Sequence, residues 1–179
     1  MGEYFEALPE EIREHIRKLA APAGLRAGAE AEETLAQGWH EKHQAFARHT
    51  AERGMVSVDA FRRDDPGGAL AMTCSGSILS IGPLIDGARS VAYASIGARR
   101  DVPQMSVTQG AALARDLSVG ESAEFIDGPV SKTSPVFAVA VFHQQLEAQA
   151  ENTALVVVTD VLAQRFAQIN RERAPWLQE

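Results

Sequence analysis

SGSILSIGPLIDGARSVAYASIG, residues 75–97, carries only two charged side chains, Asp86 and Arg89. The charge-free run reaches back to Asp65, so that residues 66–85 form a stretch of twenty without Asp, Glu, Lys or Arg. A helix of that length crosses a bilayer. Gly67, Gly68, Gly76 and Gly82 interrupt it, Pro83 follows, and no aromatic or basic belt flanks it. The run reads better as two strands. Asp86-Gly87 is the turn that joins them, because both residues tolerate the positive φ that a type I′ turn demands.

A two-residue turn at 86–87 sets an expected register. Ile81 then faces Ala92, Leu79 faces Ala94 and Ser77 faces Ile96, with Gly82 against Val91 and Ser80 against Tyr93 on the other face. Neither face is charged until Arg89. Such a hairpin must be covered on both sides. The two Ser-Ile-Gly triplets fall near the ends of the pairing and are read as packing, not as a repeat.

Upstream, 55–61 and 69–75 read as strands separated by the turn-rich RRDDPGG at 62–68. Residues 9–20 and 29–53 read as helices with a Pro/Gly linker between them. In the second helix Leu35, Trp39, His43, Phe46 and Thr50 make one thin apolar seam, which calls for a covering partner. Gly54 ends it. Downstream, Ser106 with Gln109 fits a capping box and predicts a helix over 107–117. Residues 121–126 and the apolar VFAVAVF at 136–142 read as strands, the latter central. Residues 143–152 are helix or loop. Residues 153–175 read as a C-terminal helix on the spacing of Val158, Leu162, Phe166 and Ile169, with a strand over 154–158 as the alternative.

The fold class expected is therefore α+β: an antiparallel, hairpin-rich sheet packed against two N-terminal helices and a C-terminal helix. A chain of 179 residues is read as one domain, helical over 1–54, mainly β over 55–142, and helical again over 153–175. Hydrophobic residues make up 45% and aromatics only 6%, so the core is expected to be aliphatic.

Asp and Glu number 24 against 17 Lys and Arg, a net charge of −7. That balance disfavours nucleic acid and anionic membrane as partners. The single cysteine, Cys74, reads as a buried small hydrophobe. The acidic N-terminal stretch has no apolar signal-like segment, and a cytoplasmic location is the expectation.

No GxSxG, HExxH, CxxC pair or GxGxxG occurs, no cofactor is implied, and no metal site is read. His40 and His43 are three apart on the long helix but lack carboxylates in register. GPVSKTSP at 128–135 resembles the tail of a phosphate loop only superficially: it lacks the glycine before Lys132 and precedes a strand. Two weaker groupings remain. His143 closes the apolar strand and is the candidate acid or base. Arg99, Arg100 and Lys132, with the hydroxyls of Ser131, Thr133 and Ser134, form a candidate anion site if their loops meet. The functional expectation is a soluble, non-catalytic, homodimeric protein that binds a small ligand or serves assembly. The alternative is an enzyme acting on a small anionic metabolite.

Overall fold

The computed structural model describes residues 2–23, 28–96, 102–142 and 148–174. Three helices open the chain: α1 (Glu3–Glu6), α2 (Glu10–Ala20) and α3 (Gly28–Glu52). Nine strands follow: β1 (Met55–Val58), β2 (Ala60–Phe61), β3 (Ala69–Thr73), β4 (Ile78–Ile81), β5 (Arg89–Ser95), β6 (Gln104–Leu113), β7 (Leu117–Ser118), β8 (Ser122–Ile126) and β9 (Lys132–Phe142). A last helix, α4 (Ala148–Arg173), closes the described chain. The α+β class stands, with the sheet antiparallel in all its strand pairs.

The sheet closes on itself. Strands run β9-β3-β4-β5-β6-β8, and β8 pairs back onto β9, giving a six-stranded barrel with β1 added along β9. Strand alternation sends one set of side chains inward. Ala69, Ala71, Leu79, Ile81, Val91, Val136 and Val139 fill the interior with Phe61 and Phe125. An eight-stranded barrel is just wide enough for side chains to fill, so a six-stranded one leaves its interior no room for a ligand.

The alternate residues point outward and are buried as well. Leu70, Met72, Ile78, Ala94 and Ala140 lie beneath the helices, in one cluster with Ile12 and Ile16 of α2, Trp39 and Phe46 of α3, and Leu155, Leu162 and Phe166 of α4. Every residue of β3 and of β4 is buried, which accounts for their lack of any polar face. The seam of α3 around Trp39 and Phe46 is covered within the chain, so it does not itself call for a second subunit. Gly68 lets α4 lie close to the sheet, since a Cβ there would come within 2.7 Å of Leu155 Cδ1 and 2.9 Å of the Ile81 carbonyl.

Three expectations are corrected. The chain does turn at Asp86-Gly87, with φ of 52° and 79° and mutual Ile85–Ala88 backbone bonds. The register beyond it is shifted by one: Ile81 pairs with Val91, Ser80 with Ala92, Leu79 with Tyr93 and Ile78 with Ala94. Pro83 has no N–H to give the ladder, and the Leu84 N–H goes to the Pro66 carbonyl at 3.1 Å. Pairing resumes only where the Gly82 N–H meets the Ser90 carbonyl at 2.7 Å. Second, residues 104–113 are strand, not helix. Gly110 at φ 81° breaks the helical path, and the alternation of Met105 and Val107 with Ser106 and Thr108 suits an extended chain beside β5. Third, β9 begins at Lys132, four residues before the expected start at Val136. The expected C-terminal helix stands, with 154–158 helical throughout.

Arg89 ties the barrel end together. It is only 2% exposed. Nη1 donates to the carbonyls of Gly67 and Gly82, both at 2.8 Å, and Nη2 donates to the carbonyl of Arg63 at 3.2 Å and to that of Asp65. The guanidinium also lies 5.0 Å from the centre of the Phe61 ring. Burial pulls its pKa below the usual value, and the Asp65 and Asp64 carboxylates oppose that pull. The rigid fork reaches four acceptors that a lysine's single ammonium could not. Arg89→Met orphans those carbonyls, and we expect a loss of about 3 kcal/mol or more in urea unfolding. A loss below about 1 kcal/mol would mean that water replaces the fork at no cost.

Candidate functional site

The helix layer meets the barrel imperfectly, and the gap is a cavity of about 240 Å³. Its walls come from α2, α3, the β3–β4 turn, β5 and the end of α4. Trp39, Leu35, Ile96 and Ile169 supply the apolar surface. Among the described residues that line it there is no Asp or Glu, although the chain as a whole is acidic.

Lys42 is the unusual member. It lies on α3 between Trp39 and Phe46, at i+3 from the first and i−4 from the second, so helix geometry puts it on the seam. Its side chain is buried, with 8% exposed. Among the described residues it makes no hydrogen bond and no ion pair. Its Nζ lies 5.5 Å from the Trp39 ring centre, a cation–π contact. The β3–β4 turn passes close by: a Cβ built on Gly76 would stand 3.2 Å from Nζ, and φ of 80° there also requires glycine. Burial pushes the Lys42 ammonium down to about 8.

Opposite Lys42 is a chain of hydroxyls. Thr73 Oγ1 and Ser75 Oγ are 3.0 Å apart, and Ser134 Oγ donates to Ser75 Oγ at 2.9 Å. Ser75 Oγ and Ser77 Oγ are 3.3 Å apart, and Tyr93 OH donates to Ser77 Oγ at 3.2 Å. Ser75, Ser77 and Tyr93 line the cavity. His15 of α2 lines it too, and its pKa is lowered, first by burial and then by the charges of Lys42 and Lys18. Arg173 closes one wall, held by Glu41 through bonds of 2.7 and 3.4 Å. The site thus offers one unneutralised cation, hydroxyls and an uncharged imidazole on an apolar frame. Chemically this suits a small anion with an apolar body.

The residues singled out from sequence fall elsewhere. Arg99, Arg100 and His143 lie outside the described residues. Lys132 is ion-paired with Glu124 at 3.1 Å on the β8–β9 side of the barrel. Thr133 Oγ1 donates to the Ser134 carbonyl at 2.7 Å and accepts from the Ala123 N–H at 3.1 Å. Ser131 is exposed, and its carbonyl accepts from the Phe125 N–H. Of the candidate hydroxyls only Ser134 joins the chain with Ser75, and none of Ser131, Lys132, Thr133 and Ser134 is on the cavity wall. His43, expected on the buried seam, is exposed, with its ring edge-on to Phe137 at 5.0 Å; the buried place next to it belongs to Lys42. Cys74 is buried as expected, and burial raises its thiol to about 11. Among the described residues no His, Cys, Asp and Glu cluster could hold a metal, and no helix is long and apolar enough to cross a membrane.

No protein-family model, curated protein or solved structure matches the chain. The pocket's own chemistry therefore carries the functional assignment.

A buried, unpaired ammonium is expensive. Its pKa falls from 10.5 unfolded to about 8 folded. Folding therefore carries the penalty at all pH values below about 8, and stability rises as pH climbs from 8 to 10.5, where only the unfolded chain still holds the proton. The shift corresponds to a penalty of about 3 kcal/mol. Lys42→Met removes it, so the variant should melt about 5 °C or more above the parent at pH 7. That advantage should shrink toward pH 10.5. A variant no more stable than the parent at pH 7 would show that Lys42 is satisfied in solution.

Proposed function

We propose that this protein binds a small organic anion between its helix layer and its barrel. The acidic head of the ligand meets Lys42 Nζ and the hydroxyls of Ser75 and Ser77, and the apolar body rests on Trp39, Leu35 and Ile96. The observation that supports this reading is the unpaired Lys42 ammonium facing a cavity without a carboxylate. A merely structural position would be served better by methionine or leucine, because an isolated buried charge is a net cost. The ligand supplies the counter-charge that the fold withholds. The cavity of about 240 Å³ has room for a short-chain or single-ring acid.

A second hollow of about 210 Å³ supports this reading less well. It is lined by Pro83, Ile85, Ser90 and Arg89, and the Arg89 terminal nitrogens are already taken by carbonyls. The enzymatic alternative draws on one observation: His15, kept uncharged, shares the pocket with Lys42 and could accept a proton from a bound acid.

Benzoate and butyrate are suitable probes, followed by calorimetry across pH. Binding needs the protonated Lys42, so affinity should be flat below pH 8 and fall about tenfold per pH unit above it. Lys42→Met should abolish binding, and Lys132→Met should leave it intact. Equal binding by the Lys42→Met variant, or no response to either acid, removes the proposal. If a bound acid is turned over, His15→Gln should keep affinity and lose turnover.

A further inference from the structure

Strand β6 is paired over most of its length on one side only. β5 pairs with it from Gln104 to Ala111, whereas β8 pairs with it only at Ala112 and Leu113. Among the described residues, the other edge of 104–110 is open. Its alternate N–H and C=O groups have no ladder to join. Open edges in natural sheets are usually guarded by lysine, proline, a bulge or a covering element. Residues 104–109 contain neither lysine nor proline, and the bulge begins only where Gly110 takes φ 81° and the β5–β6 register shifts.

The edge is also electrically neutral. From Val102 to Ala114 there is no charged residue, in a chain whose net charge is −7. A second copy approaching by this edge meets no like charge, although each chain carries a net −7. On the outer face of β6, Met105 and Val107 are 41% and 49% exposed, although Ala94 and Ala92 opposite them on β5 are buried.

We infer that the open edge of β6 pairs antiparallel with the same edge of a second copy of this chain. A two-fold axis through Ser106 is the register that matches like with like. Met105 then faces Val107 of the second copy, and Gln104 faces Thr108 of the second copy. Moving the axis to Val107 sets Met105 against glutamine instead. Residues 104–108 span about 17 Å, long enough for a short strand ladder. The contact is isologous and closes at two copies, so the edge is consumed and no filament grows. This is independent of the ligand pocket, which lies under the helices on the other side of β5.

Sedimentation equilibrium of the full chain tests it. We expect a dimer. Met105→Lys combined with Val107→Lys should give a monomer with an unchanged circular dichroism spectrum, because both side chains are exposed in the single chain. Ser106→Cys supplies a second readout. Opposed residues of an antiparallel pair stand about 5 Å apart at Cα, within disulfide range, so mild oxidation should cross-link the variant into covalent dimers. Cys74 is buried and does not compete. A chain that stays monomeric overturns the inference. So does a dimer that survives the double lysine variant and does not cross-link through position 106.

Discussion

Strands β3 and β4 have no wet face, and the rest of the molecule follows from that constraint. Side chains on a strand alternate, so a strand buried throughout must be covered twice. The chain meets the first demand by curling the sheet into a barrel, where Ala69, Ala71, Leu79 and Ile81 fill the narrow interior. It meets the second by laying α2, α3 and α4 over Leu70, Met72 and Ile78. A barrel of this width is solid. The pocket of Lys42 lies instead at the joint between the barrel and the helix layer.

Two buried cations show how differently one fold treats charge. Arg89 has acceptors for both terminal nitrogens, and only its Nε has none among the described residues. Its planar fork reaches carbonyls from the 62–68 loop and from Gly82, so the charge welds three segments of chain. Lys42 has an aromatic ring and a glycine turn for company, and no acceptor of its own among the described residues. The first arrangement is structural in the ordinary sense. The second leaves electrostatic work undone in the empty protein. An incoming anion would complete it.

Much of the architecture was legible because local and global signals agreed. The type I′ turn at Asp86-Gly87, the helix over α3 and the stripe of Val158, Leu162, Phe166 and Ile169 each carried their own mark. The misreadings arose where a tertiary demand overrode a local one. Ser106 and Gln109 spell a helix start, yet β5 needs a neighbour to close the barrel, and Gly110 gives the extended path its bulge. The hairpin register slipped because Pro83 cannot donate, a rule visible in the sequence but outweighed there by the symmetry of the turn. The site was harder. His43 drew attention as the polar residue on the seam, although position 42 fits the same stripe through Trp39 and Phe46. A lysine on an apolar seam was the available signal. Ser134 stood among the candidate hydroxyls, but its place beside Ser75 and Ser77 could not be read, because residues 59 apart in sequence become neighbours only when β9 pairs with β3.

The lone thiol has a use that follows from where it rests. Cys74 directly follows β3 beneath the helix layer, 6% exposed, and its proton is held well beyond neutral pH. A thiol in that condition hardly reacts while the layers stay together. Its alkylation therefore clocks the separation of helices from barrel, one event per molecule, with no engineered probe. An acid bound beside Lys42, as proposed, would bridge both layers. It should slow that clock without touching the sulfur.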